Sequence, residues 1–332
     1  MLEYGPWDHV FSLAYAPEGN LLAAGVGRKV YLYNSLELEE YHILDIGGWA
    51  TSLSFSPSLA GAFPAGHLLA ISLRDGSVQI WDIGHGTDDI KHRPICKLDV
   101  HRKGANSVAF SPDGLTMATT GNDAMVRLWD IPDLLEQGSC KLELKAEMIG
   151  GARSVPDIEY HPDGLSLASV DLAVVRIREV ASQRLVTTFR SEDMLRSITY
   201  SPRGDLLASA GVGDEIKVWE VDSGELRYTY HLEPSLSPTA SAFVWKVAFN
   251  PSGELLAAAA NDGRIHFWRL EEKGSHTDEG DGLPFLALPA HHRAVTCLTF
   301  NPDGTSLASG SLDASVRIWQ VEEIFAHLNS LP

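Results

Sequence analysis

The chain has 332 residues, 44% of them hydrophobic, so it is long enough to bury a full core. Its formal net charge of −18 repels phosphate backbones, which argues against nucleic acid as a partner and favours a basic peptide or protein patch. Residues 1–19 contain neither a basic n-region nor a long apolar run, so we expect no signal peptide, no membrane span and a cytoplasmic chain.

Seven copies of a short hairpin signal follow one another along the chain. Each copy has an aromatic residue, one further residue and a proline, and six of the seven place a glycine two residues after the proline. Proline presets φ for a turn and glycine supplies positive φ where the chain reverses, so each copy predicts two strands joined by a tight turn. The prolines are Pro17, Pro57, Pro112, Pro162, Pro202, Pro251 and Pro302.

A second landmark, an aromatic residue, ends a third strand in six of the copies, and Arg178 takes its place in the fourth copy. The aromatic residues are Tyr33, Trp81, Trp129, Trp219, Trp268 and Trp319. Apolar residues alternate between the landmarks, which predicts antiparallel strands. A fourth strand is predicted in each gap between copies, at residues 41–46, 95–100, 140–144, 184–189, 226–231 and 285–288.

These repeats resemble the WD40 family over nearly the whole chain, and Trp81-Asp82 and Trp129-Asp130 keep the dipeptide that names the family. The regular sequence pattern around the prolines is similar to that of prokaryotic WD40 arrays. The resemblance implies an all-β, seven-bladed propeller with four antiparallel strands per blade. One domain, residues 1–332, is expected, with blades near 7–46, 47–100, 101–145, 151–190, 191–231, 240–288 and 291–321.

The seventh copy has no fourth strand of its own, because residues 321–332 favour a short helix or a tail. Leu2-Glu3-Tyr4 stands before the first copy as Leu98-Asp99-Val100 stands before the third copy. Propellers of this family commonly close their ring with such an amino-terminal strand, which protects edges that an open array would expose. We therefore expect Leu2–Tyr4 to complete the last blade.

The resemblance also implies a structural side-chain network that joins a His, a Ser or Thr, an Asp and a Trp in each well-preserved blade. In such a network the Asp orients the His and the Trp N–H finds an acceptor. Two copies have the complete set, which is His101, Thr119, Asp123 and Trp129 in the third copy and His291, Ser309, Asp313 and Trp319 in the seventh.

Catalytic and metal sites are weaker interpretations of the same residue types. The Ser, His and Asp residues occupy the family's packing positions, and the chain has no G-x-S-x-G elbow for a nucleophile. His85, His92, Cys96 and His101 match no tight zinc spacing. We expect no catalytic residue, no metal and no cofactor.

A non-catalytic protein-interaction scaffold or sensor module is the function that the resemblance implies. Such a module docks peptides or partner domains on the narrow face and the channel mouth, within a larger assembly. The alternatives are a propeller enzyme with a channel-centred active site and a nucleic-acid reader with a local basic stripe.

Candidate docking residues lie at the start of each first strand and in the turns between second and third strands, and aromatic and Arg side chains there are the ones that contribute most to interfaces. Packing between loops is the alternative for the aromatic residues, and pairing with turn carboxylates is the alternative for the arginines. The candidates are Phe11, Trp49, Arg74, Asn106, Asn122, Arg153, Met194, Arg196, Trp245, Asn261 and Arg293.

Overall fold

The computed structural model describes residues 2–5, 8–35, 37, 39–57, 68–84, 93–131, 142–233, 242–270 and 283–328. Within these residues the chain forms 28 strands and one helix, α1 (Val321–Leu328). The strands are β1 (Leu2–Glu3), β2 (Val10–Tyr15), β3 (Leu21–Val26), β4 (Lys29–Asn34), β5 (Glu40–Asp45), β6 (Ala50–Phe55), β7 (Leu68–Leu73), β8 (Ser77–Asp82), β9 (Cys96–Asp99), β10 (Ala105–Phe110), β11 (Thr116–Gly121), β12 (Met125–Asp130), β13 (Glu143–Ile149), β14 (Asp157–Tyr160), β15 (Ser166–Asp171), β16 (Val174–Glu179), β17 (Leu185–Arg190), β18 (Leu195–Tyr200), β19 (Leu206–Gly211), β20 (Glu215–Glu220), β21 (Leu226–His231), β22 (Val244–Phe249), β23 (Leu255–Ala260), β24 (Arg264–Arg269), β25 (Leu286–Pro289), β26 (Val295–Phe300), β27 (Ser306–Ser311) and β28 (Ser315–Gln320).

The strands form seven four-stranded antiparallel sheets, which we number as blades. Blade one is β2–β5, and each later group of four strands makes the next blade up to blade six, β22–β25. Each blade's first strand contacts the first strands of both neighbouring blades, and β26 returns to contact β2, so the ring is closed. The predicted all-β, seven-bladed propeller is confirmed.

The core lies between blades rather than within them. The second strands are buried on both faces and carry small or aliphatic side chains; β23, for example, reads LLAAAA. One apolar cluster joins Val30 and Leu32 of blade one to Ile71 and Leu73 of blade two. A single blade therefore has no apolar core of its own, and the blades stabilise one another as neighbours.

Blade seven is closed by β1, as the sequence predicts. Its strand order is β1-β28-β27-β26, with Leu2 paired to Val316 and Glu3 to Ser315. The Tyr4 amide adds a hydrogen bond to the Ala314 carbonyl at 2.9 Å. The closing strand is two residues long, so this edge of the blade has few backbone hydrogen bonds.

One fourth strand differs from its predicted position. Blade three ends in β13, Glu143–Ile149, instead of residues 140–144, so its strand extends beyond the predicted blade limit of 145. Only Ala146 and Met148 of this strand are buried, so the alternation begins later than the apolar letters suggest. Residues 140 and 141 lie outside the described residues.

The chain has three cysteines, Cys96, Cys140 and Cys297. Their odd number and wide spacing predict no disulfide framework, yet Cys96 on β9 is disulfide-bonded. Cys297 is a free and buried thiol.

Candidate docking face and channel

The first strand of each blade is a sheet edge that faces the central channel, so its outward backbone groups need partners from the neighbouring blade. Hydroxyl side chains supply several of them. The Leu53 amide donates to Ser12 Oγ of the preceding blade at 2.9 Å, and the Val247 amide donates to Ser197 Oγ at 3.3 Å. These serines join adjacent first strands in the way that a sheet hydrogen bond would.

Three residues at the channel mouth make a similar connection to the next blade. Thr51 Oγ1 donates to the Ala105 carbonyl at 2.8 Å, and Asn106 Nδ2 donates to the Val155 carbonyl at 3.1 Å. Thr296 Oγ1 donates across the closing seam to the carbonyl of Val10. Asn106, a candidate docking residue, therefore has a structural bond at this position.

Blades four to six give the channel a charged wall, which we define as Asp157, Glu159 and Lys246. Lys246 Nζ lies 2.7 Å from Asp157 Oδ2. The same carboxylate accepts hydrogen bonds from Ser107 Oγ and Ser197 Oγ, both at 3.1 Å. Asp157 thus connects four consecutive blades. The channel that this wall lines has a volume of about 480 Å³.

Burial and charge shift the pKa values of two members of the charged wall, Glu159 and Lys246. Burial raises the pKa of Glu159 to about 7, and Asp157 adds to this rise while Lys246 opposes it. Burial lowers the pKa of Lys246, but the two carboxylates outweigh it and the net pKa is raised. The Lys246 side chain is surrounded by protein yet 34% exposed to the channel, so water moderates these effects.

Three channel groups, Asp157, Lys246 and Cys297, are poorly suited to nucleophilic or general-base chemistry. Both oxygens of Asp157 accept hydrogen bonds, and the raised pKa of Lys246 keeps its amine protonated. Burial raises the pKa of the Cys297 thiol to about 12, which leaves little thiolate. Across the described ranges no three His, Cys, Asp or Glu residues gather as a metal site, and His85 and His92 lie outside those ranges.

Blade three contains the side-chain network that the resemblance implies. His101 Nδ1 lies 2.8 Å from Asp123 Oδ1, and its Nε2 lies 3.0 Å from Thr119 Oγ1. Trp129 Nε1 donates to the same Thr119 oxygen at 3.0 Å. The ionised Asp123 carboxylate can only accept, so the ring proton lies on Nδ1, and Nε2 of the neutral ring accepts from the Thr119 hydroxyl. Burial lowers the pKa of His101 despite Asp123, so this histidine is neutral.

Blade seven repeats this arrangement. His291 Nδ1 lies 3.1 Å from Asp313 Oδ2 and its Nε2 lies 2.8 Å from Ser309 Oγ, to which Trp319 Nε1 donates at 2.9 Å. Burial lowers the pKa of His291 as well. Every polar atom in the set is used within the blade, so the network serves packing.

Blade six keeps the carboxylate contact, but its histidine stands at a different position of the repeat. His266 Nε2 lies 3.1 Å from Asp262 Oδ2. His266 stands two residues before Trp268 on the third strand, whereas His101 and His291 precede their first strands. The same third-strand position contacts the turn aspartate in blade three, where Arg127 Nη1 lies 2.9 Å from Asp123 Oδ2.

The eleven candidate docking residues lie at the narrow face, at the starts of first strands and in the turns between second and third strands. Six are exposed to solvent, namely Arg74, Asn122, Arg153, Met194, Arg196 and Arg293. Five are half-buried, namely Phe11, Trp49, Asn106, Trp245 and Asn261. The structure spreads them around the mouth and does not gather them into one site.

Two aromatic groups lie in different sectors of the mouth, one on blades one and two and the other on blade six. Phe11 and Trp49 pack edge to face, with ring centroids 6.1 Å apart. Trp245 contacts Phe243 at 4.8 Å, and the guanidinium of Arg196 lies 5.7 Å from the centre of its ring. The indole N–H of Trp245 is buried and has no hydrogen-bond partner. The second group is the one continuous with exposed apolar surface.

That surface is an apolar ridge, which we define as Leu172, Met194, Val212, Phe243 and Trp245. Backbone bonds hold its parts side by side: the Val212 amide donates to the Met194 carbonyl at 2.7 Å, and Val212 pairs with Phe243 in an isolated bridge. Leu172, Met194 and Val212 are 36%, 55% and 42% exposed. Large apolar side chains in a contiguous exposed group mark an interaction surface.

Sequence reasoning missed most of this ridge. Leu172 and Val212 occupy the turn position that supplied Arg74, Asn122 and Asn261, and extending that register to every copy would have found them. An aliphatic side chain in a turn gives no sign in the sequence that it is exposed.

The fold places the protein among the seven-bladed β-propellers. It has structural side-chain networks within its blades and an exposed apolar ridge on one face. The family description "WD domain, G-beta repeat" matches residues 92–130, 183–220, 232–269 and 282–320. The chain is a WD40-repeat protein. No helix in the described part of the chain is long and apolar enough to cross a membrane.

Similar proteins come from several eukaryotes. A maize "Guanine nucleotide-binding protein subunit beta" is 22% identical over 93% of this chain and 80% of its own length. The Schizosaccharomyces pombe "Target of rapamycin complex subunit wat1" is 26% identical over 79% of this chain and 77% of its own length. Human "Striatin-4" is 28% identical over 78% of this chain and 36% of its own length. These relatives support the predicted protein-interaction scaffold.

Proposed function

We propose that this WD40-repeat protein is a non-catalytic scaffold that docks a peptide or partner domain on the apolar ridge of blades four to six. The observation that carries the proposal is the exposure of Met194 and Val212 beside the half-buried Trp245. Burying such side chains against a partner releases water from apolar surface, at about 25 cal/mol per Å². Aromatic residues that are already held by neighbours are typical anchors of interfaces.

Charge around the ridge favours a partner segment with a basic residue. Glu192 and Asp193 directly precede Met194, and Asp214 follows Val212 by two residues. The Asp214 side chain is 57% exposed, and Glu192 is exposed as well. These carboxylates repel an acidic segment or a nucleic acid and attract a Lys or Arg that flanks apolar anchors. The net charge of −18 has the same sign.

Two of the relatives are named as subunits, one of them of a complex, and this supports a place for the chain in a multiprotein assembly. The cytoplasm remains our proposed compartment. The disulfide bond of Cys96 is at odds with a reducing compartment, so cell fractionation with thiol trapping is the appropriate check.

Selection from a displayed library of random twelve-residue peptides tests the docking proposal. We expect the wild-type chain to enrich peptides that combine apolar anchors with Lys or Arg. The Met194→Ser, Val212→Ser double variant should bind the selected peptides at least tenfold more weakly, because two exposed anchors are lost without disturbing the core.

Leu165→Ser is the matched control. Leu165 is 69% exposed in the turn between the first and second strands of blade four, at the opposite face. Peptides selected on the wild type should bind this variant unchanged. Equal binding to the wild type and the double variant would refute the ridge as the docking surface.

A further inference from the structure

We infer that the outer seam between blades one and seven holds a binding site for a methylated ammonium cation. The site is a cavity of about 380 Å³ beside the closing strand β1. We call it the tyrosine cage. It is lined by Leu2, Glu3, Tyr4, Gly5, Tyr31, Tyr33 and Glu40. The volume falls within the usual range for small-molecule sites.

The three tyrosine rings come from two distant segments of the chain. Tyr31 and Tyr33 are two residues apart on β4, so they share one face of that strand, and their rings are nearly parallel with centroids 6.3 Å apart. Tyr4 enters from the closing segment, with its ring 4.9 Å from Tyr31 and tilted by 49°. A concave aromatic surface with rings at two orientations results.

Hydrogen bonding fixes this arrangement. Tyr4 Oη and Tyr33 Oη lie 2.7 Å apart. Burial raises the pKa of Tyr33 to about 12 and raises that of Tyr4 further, so both phenols stay neutral. Tyr33 is almost fully buried and supports the blade, while Tyr4 and Tyr31 remain half-exposed at the cavity. The rings that face the cavity are therefore held in place before any ligand arrives.

Among the described residues that line the cavity, the charges have one sign. Glu3 and Glu40 are exposed carboxylates in its lining, and the other five lining residues are neutral. An aromatic face attracts a cation through its quadrupole, and nearby carboxylates strengthen that attraction. A methylated ammonium suits the site better than a primary ammonium, because it is less strongly hydrated and loses less on entering an aromatic cage.

Occupation of the cage would also stabilise the ring closure. Tyr4 belongs to the segment that pairs with β28, so a cation that rests on the exposed faces of both Tyr4 and Tyr31 binds the closed state and not the open one. A ligand that binds only the closed state raises its stability by mass action. The site thus couples cation binding to the seam.

Nuclear magnetic resonance titration of the full chain tests the inference, with Nα-acetyl-Nε-trimethyllysine amide as the probe. We expect saturable binding with an upfield shift of the probe's methyl protons, caused by the tyrosine rings. The unmethylated lysine analogue and a neutral tert-butyl isostere of the probe should each bind at least fivefold more weakly. Equal binding of the tert-butyl isostere, or no saturation in the millimolar range, would overturn the proposal.

Variants locate the binding. Tyr31→Leu keeps apolar bulk but removes an aromatic face, and it should weaken the probe about tenfold, which corresponds to the upper cation–π magnitudes. Glu40→Gln should weaken it severalfold and more strongly at low salt. Tyr228→Leu is the control, since Tyr228 stacks on Tyr230 in blade five, away from the seam. A probe that loses equal affinity in Tyr228→Leu and in Tyr31→Leu would contradict the assignment.

Discussion

The two sides of the channel use equivalent positions in different ways. On blades seven, one, two and three the inward residues are mostly hydroxyl-bearing or small, and Thr51 and Thr296 bond to the next blade's backbone. We call this the hydroxyl wall. On blades four to six the same positions hold Asp157, Lys246 and Arg196. One side serves ring assembly, and the other adds charge next to the apolar ridge.

This asymmetry matters because the backbone is nearly symmetric. The seven sheets have the same topology, so each side-chain position occurs seven times around the ring. A charged residue at one of these positions therefore distinguishes its blade from the others. Asp157 replaces the Ser12, Ser52 and Ser107 of other blades and still accepts the inter-blade bond from the Ile198 amide at 3.2 Å. The charged wall thus keeps the hydrogen bond between blades and adds an ion pair with Lys246.

The largest expected effect comes from making the two walls alike. Asp157→Ser should lower the free energy of unfolding by about 2–3 kcal/mol, because Lys246 loses its partner in a confined channel. Adding Lys246→Ser should recover most of that loss, since the unpaired charge is removed. Urea unfolding of both single variants and the double variant measures the coupling. Additive losses would mean that the ion pair is not the source of the effect.

The hydroxyl wall has a smaller test. Thr296→Val keeps the shape but removes the donor to the Val10 and Gly310 carbonyls, so we expect a loss of about 1–2 kcal/mol. Thr305→Val is the control, because Thr305 is exposed and bonds within its own turn. It should change the free energy of unfolding by less than about 0.5 kcal/mol. Equal effects in the two variants would refute the assembly role of the mouth threonine.

The pH dependence of the free energy of unfolding tests Glu159 of the charged wall. The pKa of Glu159 is raised to about 7 when folded, so its contribution to stability is greatest below its ordinary pKa and is lost as pH rises toward 7. Glu159→Gln imitates the protonated acid. We expect it to match the wild type near pH 4, below the ordinary glutamate pKa, and to exceed it by about 1 kcal/mol at pH 8, a value reduced for channel water.

The buried histidines change the free energy of unfolding with pH in the opposite direction. The wild type and Glu159→Gln must therefore be compared by the difference between their unfolding free energies at each pH. The lowered pKa of His101 and of His291 makes both proteins lose stability as pH falls below the ordinary histidine value. Subtracting the two unfolding curves cancels that contribution. A difference that does not change with pH would show that Glu159 is ionised throughout.

The smallest expected effect is on stability at the mouth of the charged wall. Arg196→Ala should alter the free energy of unfolding by less than about 0.5 kcal/mol, because the side chain is exposed and its stacking on Trp245 is weak in water. Binding of the ridge-selected peptides should fall severalfold, since Trp245 loses its support. A large loss of stability with unchanged peptide binding would show that Arg196 serves ring assembly, as the hydroxyl wall does, and not docking.

Repetition made the fold predictable. Seven prolines, six closing aromatic residues and Leu2–Tyr4 together define the blades and their closure, because each signal reports a local turn or strand. The charged wall was not predictable in the same way. Asp157 and Lys246 are far apart in sequence. The alternation of a first strand predicts that a residue points into the channel, but it does not predict which residue it contacts there. Contacts between blades depend on the closed ring, which no single repeat encodes.

The pairing of β1 with β28 also sets an order of events during synthesis. The ribosome makes β1 before every blade and β28 after six of them, so the seam cannot form until the last hairpin has emerged. A nascent chain must therefore keep a two-residue strand unpaired while the blades stack from one end. Closure is the step most exposed to delay, and a chaperone that shields the free edge of blade one would act in that interval.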